Sequence, residues 1–179
     1  MPADIWPYPA PQDDGAAVHL KSGLCLPDVS LPSTGGEPVN LGTSRGSIVV
    51  FIYPWTGRPG FPDPPGWDDI AGAHGSTPQA VGFRDLAPEF AARHVTIFGL
   101  SSVTNDWQTE FAQRMALNYP LLSDARLLFS GALKLPRFTA GDTVYLKRLT
   151  LICREGEIVR AVYPVHPPDR HAADILASI

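Results

Sequence analysis

The stretch SIVVFIYP, residues 47–54, decides the fold. Its apolar run contains β-branched and aromatic residues and does not alternate with polar ones, which is typical of a strand buried on both faces. Pro54 ends the strand, and residues 54–66 contain five prolines and three glycines. Such a segment can be neither a helix nor a central strand. We therefore expect a long loop at the carboxyl end of a central strand, a position that often carries function.

Regular elements are predicted on both sides of this strand. Upstream, alternation around residues 24–32 and 38–41, separated by Gly35 and Gly36, predicts a small hairpin. Downstream, apolar periodicity and turn residues predict a helix from Ser76 to residue 91 with a kink at Pro88, a strand over 95–100, helices over 105–117 and 123–133, strands over 146–154 and 158–165, and a helix over 167–179.

The order of these elements predicts an α/β domain. Two strand–helix units followed by an antiparallel hairpin give a central mixed sheet with helices on both faces. We expect residues 23–179 to form this domain and residues 1–22, rich in proline, to form an irregular arm pinned by Trp6 and Tyr8.

Composition narrows the function classes. The 179 residues include 14 Lys and Arg against 18 Asp and Glu, a net charge of −4, which argues against a nucleic-acid binder. No apolar run is long enough to cross a membrane, and the first residues carry no secretory signal, so a cytoplasmic protein is expected. Two cysteines, Cys25 and Cys153, are too few for a disulfide scaffold or a multi-cysteine zinc site.

Five segments carry a resemblance to a known family. In this order and spacing they resemble the peroxiredoxins, nearest to the Q-type or bacterioferritin-comigratory branch, over residues 24–179. The resemblance implies a thioredoxin-like fold and no cofactor or metal. The segments are LPDVSLP (26–32), IVVFIYP (48–54), GSTPQAVGFRD (75–85), YPLLSD (119–124) and KRLTLI (147–152).

The resemblance also implies the site residues. Ser76 holds the place of the family's peroxidatic cysteine, and Val81 holds the place of the second, resolving cysteine that many Q-type members carry. Residues 55–74 look like an insertion before the helix, so the family's active-site hydroxyl would come from Thr56 at a displaced position. Arg148, in the pattern Arg-x-Thr-x-Ile, matches the family's active-site arginine.

Physical chemistry explains why the family needs these groups. A thiolate attacks the O–O bond of a peroxide, and its pKa is lowered by a helix N-terminus and a neighbouring arginine. The product is a sulfenic acid, which a second thiol must reduce. A serine hydroxyl stays protonated and has no such cycle, so the chain with Ser76 is expected to be inactive.

Two explanations for Ser76 stay open at this stage. The chain is either a Cys→Ser variant of a one-Cys peroxidase or a naturally redox-dead relative. The first predicts reduction of hydrogen peroxide or small organic hydroperoxides with an external thiol, namely thioredoxin, glutaredoxin or glutathione, and leaves a homodimer open. The second predicts a thioredoxin-fold protein that binds a partner or a ligand.

Structural interpretations compete with these roles. Ser76 is also a good N-cap, with Gln79 completing a capping box. No Gly-x-Ser-x-Gly elbow supports a serine hydrolase. Cys25 and Cys153, among apolar neighbours, are expected to be buried core residues.

Other polar and aromatic groups are also expected to be structural or to have two possible roles. His166, Asp169 and His171 are typical of a polar helix start rather than a metal site. Arg84 and Asp85 fit a helix-stabilising role and a role near the site equally well. The aromatic residues of the proline-rich loop are expected to pack on their own domain, with a pocket or dimer contact as the alternative; they are Trp55, Phe61 and Trp67.

Overall fold

A computed structural model describes residues 6–179, which form nine strands and five α-helices. In chain order the elements are β1 (Ser30–Leu31), β2 (Val39–Asn40), β3 (Ser47–Ile52), α1 (Ser76–Asp85), α2 (Ala87–Ala92), β4 (Val95–Ser101), α3 (Asn105–Arg114), β5 (Leu121–Ser123), α4 (Leu128–Ala132), β6 (Arg137–Ala140), β7 (Thr143–Leu146), β8 (Leu149–Arg154), β9 (Glu157–Val162) and α5 (His171–Ala177). Short 3₁₀ helices lie at Leu41–Thr43 and Trp67–Asp69.

A five-stranded mixed sheet organises the fold, in the order β5-β4-β3-β8-β9. Strands β3, β4 and β5 are parallel, whereas β8 runs antiparallel to β3 and β9 antiparallel to β8. β3 is central, with Val50 opposite Phe98 on one side and Leu151 on the other. The predicted mixed α/β sheet is confirmed.

Both faces of β3 are buried, as its unalternating sequence predicts. Val50 and Ile52 face a core covered by α4 and the N-terminal segment. Val49 and Phe51 face a second core closed by α1, α2, α3 and α5. No helix within residues 6–179 is long and apolar enough to span a membrane.

Several element boundaries differ from the sequence prediction. The expected kinked helix is two helices, because Pro88 lies in the first turn of α2 where its missing N–H costs nothing. The helix predicted over 123–133 is shorter, because Ser123 ends strand β5 and α4 begins only at Leu128. Asp124 accepts hydrogen bonds from the backbone N–H groups of Phe129 and Ser130 in α4. The strand predicted to reach residue 165 ends at Val162, and the last helix begins at His171 rather than 167.

The predicted single strand over 146–154 is interrupted at Lys147 and Arg148. β7 pairs with β6 in a separate two-stranded sheet, whereas β8 pairs with β3 in the central sheet. The chain changes sheets between them, and the Lys147 N–H donates to the Pro136 carbonyl. The β6–β7 hairpin was not predicted, because residues 137–146 contain neither a long apolar run nor strict alternation.

The proline-rich loop packs mainly on this hairpin. Trp67 is 3% exposed and lies 5.1 Å from Tyr145 and 5.7 Å from Phe138, measured between ring centroids. Trp55 contacts Trp67, whereas Phe61 is largely exposed and rests against Trp107. The loop therefore has an aromatic anchor on its own domain.

The N-terminal arm runs along the same end of the molecule. Residues 6–22 form no helix or strand. The Tyr8 ring stacks on the His74 ring at 3.7 Å, and the Trp6 ring lies 5.9 Å from that of Tyr8. Farther along, Asp14 binds Lys147 at 2.6 Å. The first five residues of the predicted arm lie outside the described residues.

The two cysteines occupy different environments. Cys153 in β8 is buried, as predicted, and burial raises its thiol pKa to about 12. The prediction that Cys25 is buried is wrong. Cys25 forms an isolated bridge to Glu157 on the outer strand β9, so Leu26 rather than Cys25 points into the core.

This difference predicts two labelling rates. Iodoacetamide should modify Cys25 rapidly in the native protein and Cys153 only on unfolding, because the buried thiol is both inaccessible and poorly ionised. Peptide mass spectrometry after timed labelling, with and without denaturant, gives both rates. Equal native-state rates for the two cysteines would contradict the structure.

Candidate active site

Ser76 is the first residue of α1, and its position is set by Gly75. Gly75 is the N-cap and has a φ of +107°, a conformation that favours glycine. A Cβ at Gly75 would lie 2.2 Å from Pro168 and 2.9 Å from Trp6. The predicted capping box at Ser76 is therefore wrong, since the helix begins one residue earlier than a Ser76 cap requires.

The Arg148 side chain contacts Ser76 at the start of α1. Its Nη2 donates to Ser76 Oγ at 3.1 Å and contacts the carbonyl oxygens of residues 72, 73 and 74 at 3.2–3.3 Å. Its Nη1 donates to Gln79 Oε1 at 2.5 Å. Because the break between β7 and β8 releases Arg148 from the sheet ladder, its side chain crosses to the loop; the expectation that Arg148 lies on a strand is wrong.

The charge of Arg148 is held without a counter-ion. Within residues 6–179 no carboxylate lies at ion-pair distance from it. Burial lowers the pKa of the guanidinium to about 9, which still leaves it protonated at neutral pH. Its positive charge adds to the partial positive charge at the N-terminus of α1. Position 76 is therefore a place where a negative atom is favoured.

A cavity of about 270 Å³ opens beside Ser76. Thr56 is 2% exposed on its wall, and its Oγ1 has no hydrogen-bond partner among residues 6–179. The Trp107 indole holds this segment by donating to the Thr56 carbonyl at 2.8 Å. An unpaired buried hydroxyl indicates that the cavity accepts a polar occupant. Other lining residues are Trp6, Tyr8, Trp55, Asp63, Trp67, His74 and Pro78.

Gln79 belongs to the site although the sequence analysis assigned it to a cap. It is fully buried, and its side chain accepts from Arg148 while its Nε2 has no partner within residues 6–179. Helical spacing offered a signal that Gln79 is buried. Gln79 is four residues before the buried Phe83 and so lies on the core face of α1.

Other candidates lie away from the site. Arg84 donates to the Met115 carbonyl at 2.7 Å and to Asp85, so it ties α1 to the end of α3. His171 is buried and paired with Thr150 Oγ1 at 2.7 Å, whereas His166 and Asp169 are exposed. Within the described residues these three side chains form no group with metal-ligand spacing.

Comparison with known sequences decides the family. Residues 21–177 match the sequence family described as Redoxin. The chain belongs to the Redoxin family. The peroxiredoxin resemblance and the thioredoxin-like fold expected from the sequence are confirmed.

Two relatives with peroxiredoxin names are bacterial proteins. The chain is 29% identical to a putative peroxiredoxin of Mycobacterium tuberculosis strain H37Rv, over 89% of this chain and 96% of that protein. It is 34% identical to peroxiredoxin Bcp of Escherichia coli K12, over 59% of this chain and 58% of that protein. The crystal structure of peroxidoxin BcpB from M. tuberculosis superimposes with a TM-score of 0.70 at 29% identity, covering 89% and 96% of the two chains.

Loss of Arg148 should destabilise the fold. Arg148→Met leaves buried carbonyl oxygens and Gln79 Oε1 without their donor, which should lower the free energy of unfolding by roughly 2–4 kcal/mol. Denaturant unfolding measures it, with Arg45→Met at an exposed position as the control. Equal stability of the two variants would contradict a structural role for the guanidinium.

His171 predicts a pH dependence of stability. Burial, and next the positive charge of Arg148, lower the pKa of His171 to about 4, against about 6.5 unfolded. The unfolded chain therefore binds the proton more readily, so stability is full above about pH 6.5 and falls as the pH approaches 4. The loss should be about 3 kcal/mol.

Urea unfolding at pH 7, 6, 5 and 4 tests this dependence on His171. His171→Gln should flatten the slope, whereas His166→Gln, at an exposed position, should leave it unchanged. The assignment is wrong if His171→Gln keeps the full slope.

Proposed function

We propose that this peroxiredoxin fold carries a one-Cys thiol peroxidase site at position 76, and that the chain with Ser76 is inactive. The substrates are hydrogen peroxide or small organic hydroperoxides. The supporting observation is the 3.1 Å contact between Arg148 Nη2 and Ser76 Oγ at the first residue of α1. A thiolate at that atom would be stabilised by both positive fields.

A cysteine at position 76 would react by a balanced two-electron step. Its thiolate attacks one peroxide oxygen, the O–O bond breaks, and the other oxygen leaves as hydroxide or alkoxide and takes up a proton. The sulfur is oxidised to a sulfenic acid. Two equivalents of external thiol then return it to the thiol, releasing water and a disulfide.

Thr56 would orient the peroxide. Its hydroxyl lines the cavity beside Ser76 and has no protein partner in the described chain, so it is free to bond a peroxide oxygen. Arg148 would stabilise the charge that develops on the leaving oxygen and on the sulfur. Gln79 would position Arg148 through its Oε1.

The surroundings of position 76 support reduction by an external thiol. Val81 on α1 carries no thiol at the place that the resemblance assigns to a resolving cysteine, and Cys153 is buried in the central sheet. Thioredoxin, glutaredoxin or glutathione would supply the electrons. A cytoplasmic location belongs to the same proposal, which leaves a homodimer open.

The decisive experiment is Ser76→Cys in a Cys25→Ser background, which removes the accessible thiol elsewhere. This variant should consume hydrogen peroxide with dithiothreitol far faster than free cysteine does. Mass spectrometry should find sulfenic or sulfinic acid at position 76. The parent chain and Ser76→Ala should show neither.

A second substitution tests Thr56 in the active background. Thr56→Val keeps the shape but removes the hydroxyl, so peroxide consumption should fall roughly 10–100-fold. If Ser76→Cys reacts no faster than free cysteine while remaining folded, the peroxidase proposal fails and a binding role is favoured.

A further inference from the structure

The proline-rich loop brings three metal-ligating side chains together. Asp63, Asp68 and His74 each present one ligand atom, and these atoms all lie within 4.8 Å of one another. His74 Nε2 and Asp68 Oδ1 lie 2.7 Å apart. We propose that Asp63, Asp68 and His74 bind one divalent transition metal ion of the zinc type at the mouth of the Ser76 cavity.

The backbone holds all three residues in place. Asp63 lies between Pro62 and Pro64, whose rings restrict the chain. Asp68 lies in the 3₁₀ turn whose Trp67 is anchored in the aromatic cluster. His74 directly follows the buried Ala73, whose carbonyl Arg148 binds. Little conformational entropy therefore has to be lost when a metal binds.

The orientation of the imidazole is also set. The Tyr8 ring stacks on His74 at an interplanar angle of 15°, and the hydrogen bond to Asp68 places Nε2 beside that carboxylate. Metal-binding histidines are commonly oriented by such neighbouring groups. His74 is half-buried while the carboxylates are exposed, so the aspartates are free to close by the ångström or so that a ligand sphere requires.

The negative charges of Asp63 and Asp68 favour a cation between them. Neither Asp63 nor Asp68 forms an ion pair with a lysine or arginine within residues 6–179. Two carboxylates held this close repel one another, and a divalent ion removes the repulsion. A hydrogen bond between His74 and Asp68 alone accounts for neither the convergence of Asp63 nor its place in the cavity wall.

The cavity supplies a second observation that points to a ligand. Thr56, 2% exposed, lines the same cavity as Asp63 and His74, and its Oγ1 has no partner in the described chain. Such a group calls for a polar occupant. Three protein ligands leave a fourth position on a tetrahedral metal for water, which is an occupant of this kind.

The donor set selects the metal class. One imidazole nitrogen and two carboxylate oxygens suit Zn²⁺, whose bonds to both atom types are about 2.0–2.2 Å. Mg²⁺ prefers oxygen ligands alone and retains its waters. The family resemblance implied no metal, and the sequence gives no signal for this site, since the three residues are separated by four and five others and match no short ligand motif.

Calorimetric titration of the tag-free, chelator-treated chain with ZnCl₂ tests the proposal, again in the Cys25→Ser background. We expect one equivalent of zinc, a rise in melting temperature on binding, and no competition from Mg²⁺ at the same concentration. Asp63→Asn and Asp68→Asn should each weaken binding at least about 10-fold.

Asp69→Asn is the matched control, since Asp69 is exposed in the same 3₁₀ turn but outside the cluster. It should bind zinc as the parent does. The proposal is overturned if the parent shows no saturable binding, if Asp68→Asn binds with parental affinity, if Asp69→Asn loses as much as Asp68→Asn, or if Mg²⁺ displaces the zinc. None of these readouts depends on peroxidase activity.

Discussion

A buried guanidinium organises one end of this molecule. Arg148 has no carboxylate partner in the described chain, so the cost of its desolvation must be offset by hydrogen bonds. Those bonds come from the carbonyls of residues 72–74, from Ser76 and from Gln79. Carbonyl oxygens of consecutive residues can converge on one nitrogen only if the chain curves around it. The arginine therefore shapes the loop that leads into α1 as well as the electrostatics of its first residue.

That arrangement would favour an anion at position 76, whichever atom is there. A cysteine at this position would ionise, because a thiol pKa lies close enough to neutrality for a neighbouring positive charge and a helix N-terminus to favour the thiolate. A hydroxyl is far less acidic, so in this chain Ser76 Oγ accepts from Arg148 as a neutral group. The chain can therefore keep the positive electrostatic environment of a peroxidase site without having the sulfur atom that reacts.

Local sequence patterns predicted the secondary-structure elements, because these depend mainly on residues close together in the chain. The buried strand β3, the helix that begins at Ser76 and the α/β class follow from apolar periodicity and from the positions of prolines. The resemblance to the peroxiredoxins predicted that Arg148 and Ser76 belong to the same site. The pairing of Gln79 with Arg148 and the exposure of Cys25 beside β9 could not be predicted in the same way, because each depends on a partner distant in the chain. The β6–β7 hairpin was missed because its sequence has neither a long apolar run nor strict alternation. The convergence of Asp63, Asp68 and His74 likewise needs the loop to be folded on Trp67.

The loop over residues 55–75 looks like an insertion, yet it is ordered and shapes the site. Its prolines limit the conformations of the unfolded chain, so ordering the loop costs less entropy than its length suggests. Trp67 fixes its middle on β6–β7, and the Arg148 contacts fix its end. Asp63, shortly before the first anchor, and His74, at the second, line the cavity with Thr56. A loop held at its middle and its end can acquire new polar groups facing the cavity while the sheet beneath it keeps its packing.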